Sequence, residues 1–123
     1  MAAVSTLQRR RLDQAGIWLS GLCAAHCLVT VLFVSSVGVG AHILLEPVIH
    51  KVGLLLAALI AAIAIGWGAV QHGRRAPLAA AGLGLALMAA AVMGPHGFME
   101  TALSAAGVSL VALGHALNLR PAR

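Results

Sequence analysis

Four apolar runs, at about residues 15–38, 48–70, 78–94 and 101–118, dominate this chain and restrict its fold more than any other feature. A helix that spans the hydrocarbon core of a bilayer needs roughly 20 apolar residues, with a range of about 17–25. Each run meets that requirement, the third only just. Polar punctuation separates them: Glu46-Pro47, Gln71 to Pro77, Gly94 to Gly97, and Asn118 to Pro121. Connections this short require neighbouring helices to run antiparallel. The expectation is an all-α membrane protein of 123 residues, a single domain of four transmembrane helices in an antiparallel bundle.

Composition agrees. Only 9% of residues are charged and 61% are hydrophobic, against roughly 25% charged in a soluble domain. So few charges could not cover that much apolar surface in water. The lipid bilayer is therefore the expected partner, and the abundant Ala and Gly allow close helix approach. Small residues recur every four positions at Ala58, Ala62 and Gly66, and at Gly82, Ala86, Ala90 and Gly94. These stripes predict that the two middle helices pack on each other.

The net charge of +5 does not point to nucleic acid, because the charges sit at segment ends and form no basic face with interleaved aromatics. Seven of the eight basic residues fall on one side of the layout: Arg9, Arg10, Arg11, Arg74, Arg75, Arg120 and Arg123, with Lys51 opposite. The positive-inside rule then places both termini in the cytoplasm.

Chemistry concentrates in the first run. "LSGLCAAHCLVTVLF", residues 19–33, carries both cysteines, Cys23 and Cys27, with His26 beside them. Spacings of three and four put all three on one helix face. Two sulfurs and a nitrogen suit soft or borderline ions such as Hg(II), Cu(I) and Zn(II). A bound cation holds the thiols deprotonated and offsets the cost of their charge in an apolar setting. The alternative is that each cysteine acts as a small hydrophobe.

Further polar residues flank this group. Glu46 and His50 lie one turn apart on the outer side, with His42, His96 and Glu100. His72, His115 and Asn118 lie on the inner side. A solvated loop position is the plainer reading for His42, His72 and His96, and Glu100 could simply favour a helix start. Polar side chains inside a membrane segment are costly and suggest function. The expected sequence of events is capture by the outer group, binding by Cys23, His26 and Cys27 near mid-membrane, and release past His115. The expected metal ligands are Cys23, His26, Cys27, His50 and His115, with Glu46, Glu100, His72 and Asn118 in supporting positions.

"DQAGIWLSGLCAAHCL" (13–28), "EPVIHK" (46–51), "QHGRR" (71–75), Glu100 and "LGHALNLR" (113–120) together resemble the MerC-type membrane proteins of mercury resistance. The resemblance implies a bacterial inner-membrane protein of four helices that takes up Hg(II) through a cysteine pair in the first helix. Cys23 and Cys27 would be the ion-binding thiols, and His26, His50 and His115 match histidine positions of the wider family. The added histidines extend the expected ions to Zn and Cu.

Other functions were weighed. A resident haem could sit between histidines of different helices, with His72 and His115 as the pair at matching depth. An enzyme is not expected, since no nucleophile, base and acid converge in an aqueous cleft and Gly73, Gly82 and Gly84 follow no strand. Four helices make a thin wall for a pathway, which favours a homodimer.

Overall fold

The computed structural model describes residues 5–37, 47–95 and 97–120. It holds four helices: α1 (Thr6–Val37), α2 (Pro47–His72), α3 (Ala76–Met93) and α4 (Phe98–Leu119). Each is long and apolar enough to cross a membrane, and the described residues contain no strand.

Helix α1 begins nine residues before the expected boundary. Its start carries a reciprocal cap: the Gln8 amide N–H donates to Ser5 Oγ, and the Ser5 N–H donates to Gln8 Oε1. This Ser-x-x-Gln pattern satisfies two N–H groups that a helix start otherwise leaves open. Arg9, Arg10, Arg11 and Asp13 consequently lie within the helix rather than ahead of it.

The turn from α2 to α3 is short because its residues fit. Gly73 adopts φ +65° and its N–H donates to Ala69 O at 2.9 Å, closing α2 in the left-handed conformation glycine tolerates. Pro77 then falls in the first turn of α3, where the missing N–H costs nothing. Gly94-Pro95 ends α3.

The helices form a ring in chain order. Helix α1 packs on α2 and α4, and among the described residues its backbone does not approach that of α3. The most extensive interface joins α3 to α4. There Gly84 meets the backbone of Gly107 and Val111, and Gly114 meets Pro77 O and Ala81, so closely that a Cβ at either glycine would overlap its neighbour. Main-chain approach of this kind replaces hydrophobic driving force inside a membrane.

The expected packing stripes need correction. Gly82, Ala86 and Ala90 are exposed, as is Ala62, whereas Ala81, Gly84, Met88 and Ala91 face inward on α3. Helices α2 and α3 do pack on each other, but α4 is the closer neighbour of α3. In a helix built mostly of Ala, Gly and Leu, small residues recur on several faces. Spacing within one helix does not select the face that a partner covers.

Candidate functional site

Cys23, His26 and Cys27 occupy one face of α1, as their spacing requires, and all three are half-buried. They line a groove of about 450 Å³ between α1, α2 and the facing parts of α3 and α4. Cys23 packs against the core cluster of Ala57, Met88, Val108 and Val111. His50, on the first turn of α2, lines the same groove, and its ring meets that of His26 edge to face with centroids 5.5 Å apart. His50 Nδ1 is buried without a hydrogen-bond partner. Glu100, in the first turn of α4, lies within electrostatic reach of the Cys27 thiol. The remaining walls are mainly aliphatic.

Both cysteines are free thiols. Among the described residues no three His, Cys, Asp or Glu side chains converge into a ready-made metal cage. The groove instead presents two thiols and two imidazoles side by side. Two thiols suffice for a linear soft-ion complex, whereas a Zn²⁺ site needs more ligands in tetrahedral array.

Cys23 reaches the middle of the bundle, packed on the cluster that holds Ala57 and Val108, and His26, Cys27 and His50 continue the groove toward the end where α2 begins. Cys23 faces Gly53 of α2, whose ideal Cβ position lies 3.8 Å from Cys23 Sγ. His50 of the expected outer group shares this groove with the thiols, and the expected inner group lies at the other end of the bundle.

The second group is a buried hydrogen-bonded chain. Asp13, His115 and Asn118 each have 0% exposure. Asp13 Oδ1 accepts from His115 Nδ1 at 2.8 Å, and Asp13 Oδ2 accepts from Asn118 Nδ2 at 2.8 Å. Asn118 Nδ2 also donates to Ala64 O at 3.0 Å, and Asn118 Oδ1 faces His72 Nε2 at 3.1 Å. The Arg74 amide N–H donates to His72 Nδ1 at 3.4 Å, so the His72 proton sits on Nε2 and points at Asn118. Helices α1, α2 and α4 are thus tied together at one end. Two glycines make room: a Cβ at Gly16 would overlap the His115 ring, and one at Gly68 would overlap Asn118 Oδ1.

The structure therefore groups Cys23, His26, Cys27 and His50, with Glu100 near Cys27. It groups His72, His115 and Asn118 elsewhere, and it does not bring His115 to the thiols. Asp13 and Cys23 are ten residues apart on α1, about 15 Å along the helix. Glu46, His42 and His96 lie outside the described residues. The residue that sequence reasoning missed is Asp13. A usable signal existed, because it is one of three acidic residues in the chain. Starting helix 1 at residue 15 placed it outside the membrane segment.

A sequence model of the family described as MerC mercury resistance protein matches residues 13–120. Neither the curated proteins nor the solved structures give a significant match.

Proposed function

The chain belongs to the MerC mercury-resistance family, and from that premise we propose that it binds a soft metal ion at Cys23 and Cys27 and carries it into the cell. One observation carries this reading: two free thiols one turn apart open onto the same groove as His26 and His50. Hg(II) is the ion best matched, because two thiolates complete a linear complex. The imidazoles of His26 and His50 offer further bonds, which keeps Cu or Zn within the proposal. Binding displaces the thiol protons, so the ion and the thiolates enter the apolar groove as a complex of reduced charge.

The proposed orientation in the bacterial inner membrane follows the basic residues. Arg9, Arg10 and Arg11 share the end of the bundle where Arg74 donates to Arg120 O at 2.6 Å. Placing that end in the cytoplasm leaves the thiol groove toward the outer side. The chain's own contribution is then a thiol pair that meets the ion first and a sealed polar end that it must pass.

A haem between His72 and His115 finds no support in the geometry. Both ring nitrogens of His72 are engaged, Nε2 with Asn118 and Nδ1 with the Arg74 N–H, and the His115 ring is packed on Gly16.

The test is metal content of purified protein loaded with Hg(II), Cu(I) or Zn(II), wild type beside Cys23→Ser/Cys27→Ser, followed by Hg(II) uptake into proteoliposomes. The double variant should lose bound Hg(II) and uptake. Equal metal content in both proteins would refute the thiol site.

A further inference from the structure

The end of the bundle that holds Asp13 is strongly basic. Among the described residues it carries Arg9, Arg10, Arg11, Arg74, Arg75 and Arg120 against the single carboxylate of Asp13. Three of these arginines come together from different parts of the chain. Arg9 lies one turn before Asp13 on the same face of α1. Asp13 binds Asn118, and Arg120, the cap residue of α4, follows two residues later. Asn118 meets His72, whose ring accepts from the Arg74 N–H. Arg74 Nη2 closes the circuit by donating to Arg120 O at 2.6 Å.

Among the described residues, no carboxylate is bonded to these three side chains. Asp13 uses both oxygens on His115 and Asn118, and Glu100 stands at the far end of α4. Arg9 and Arg74 are half-buried, and the Nε–H of each is covered and meets no acceptor. A charged donor kept from water without an acceptor is costly. An anion rich in oxygen is the group this end lacks. We propose that Arg9, Arg74 and Arg120 bind the phosphate headgroup of an anionic phospholipid, which bridges the start of α1 to the α2–α3 turn and the end of α4. The leaflet that supplies the lipid follows the orientation proposed above; the site itself does not depend on the metal reading.

Depth selects a lipid among the sources of phosphate. Helix α3 has 18 residues, roughly 27 Å at 1.5 Å per residue, against a hydrocarbon core of about 30 Å. Arg74 and Arg75 directly precede it and are thereby held at headgroup level, together with Arg120, whose carbonyl holds Arg74. Leu7, Val70 and Leu78 stand exposed within four residues of Arg9 or Arg74 and give acyl chains apolar surface beside the charges. The guanidinium fork matches phosphate oxygens in geometry, and basic pockets between membrane helices bind anionic headgroups. The first turn of α3 has no side-chain cap, so its dipole adds to the same attraction. A phosphate at this position ties together, from the water side, the same helices that Asp13 and Asn118 join inside.

The experiment uses the full chain in nanodiscs of phosphatidylcholine, alone or mixed about three to one with phosphatidylglycerol. Native mass spectrometry identifies the lipid retained, and circular dichroism follows the thermal midpoint. The wild type should retain phosphatidylglycerol in preference to phosphatidylcholine and melt at a higher temperature in the mixture. Arg9→Gln/Arg74→Gln should lose both effects, with apparent affinity falling about fivefold per arginine removed. Arg10→Gln/Arg11→Gln removes the same charge from two exposed positions and should keep most of the preference. If the Arg74 change weakens the fold in phosphatidylcholine, Arg9→Gln/Arg120→Gln takes its place, because the Arg120 carbonyl that holds Arg74 remains. Equal loss in the two pairs of variants would mean diffuse attraction to the membrane, and a wild type without preference would mean no site; either result overturns the proposal. Inorganic phosphate added to the phosphatidylcholine discs should leave the midpoint unchanged. A rise equal to that given by phosphatidylglycerol would make free phosphate the ligand and overturn the lipid assignment.

Discussion

Asp13 and His115, 102 residues apart in the chain, meet through a 2.8 Å hydrogen bond with neither side chain exposed. Their contact joins the first turns of α1 to the last turns of α4, and Asn118 extends it to α2. A buried acceptor shared by two donors makes that end of the bundle its most interdependent part.

Removing the acceptor should therefore be costly. Asp13→Ala leaves His115 Nδ1–H and one Asn118 amide proton without partners in a dry interface. Breaking a buried pair from one side costs about 3–5 kcal/mol. The expected result is a clear fall in the thermal midpoint of the detergent-solubilised protein, followed by circular dichroism. Asp13→Asn, which retains one acceptor, should fall less. Equal loss in both variants would show that the hydrogen bonds are not the cause.

Glycine substitutions separate close approach from mere flexibility. Gly16→Ala and Gly68→Ala each place a methyl group where His115 or Asn118 already lies, and overpacking of this kind costs about 1–3 kcal/mol. Gly82 has open space around its side. Gly82→Ala should be neutral or stabilising by up to about 1 kcal/mol, as expected when glycine leaves a helix interior. The same melting experiment ranks all three.

The register of α1 on α2 is testable by cross-linking. The ideal Cβ of Gly53 lies 3.8 Å from Cys23 Sγ, which is compatible with disulfide formation after a small adjustment. Gly53→Cys in a Cys27→Ser background should form an intramolecular bond on mild oxidation, seen as a mobility shift on a non-reducing gel. Gly66→Cys, more than three turns further along α2, should not.

The two imidazoles of the groove predict graded effects on metal binding. His50→Ala removes a ring whose Nδ1 has no protein partner and should weaken Zn(II) retention more than Hg(II) retention, because the linear thiolate complex needs no third ligand. Competition with a chelator of known affinity gives the ratio for each ion. A uniform loss across ions would mean that His50 supports the groove rather than the metal.

The sequence by itself determined the number of helices, their approximate limits and the common face of Cys23, His26 and Cys27. Those are properties of one helix at a time, set by hydrophobic length and by a period of 3.6 residues. The Ser5 and Gln8 cap was equally local, and reading it would have carried α1 back to Asp13. Only the tertiary structure decided that His50 joins the thiols, that α3 seats Gly84 and not Gly82 against α4, and that Asp13 collects His115 and Asn118. Each of these depends on how one helix is rotated against another. In helices rich in alanine, glycine and leucine, many rotations look alike in sequence. The choice falls to backbone approach at a few glycines and to the requirement that every buried polar group find a partner.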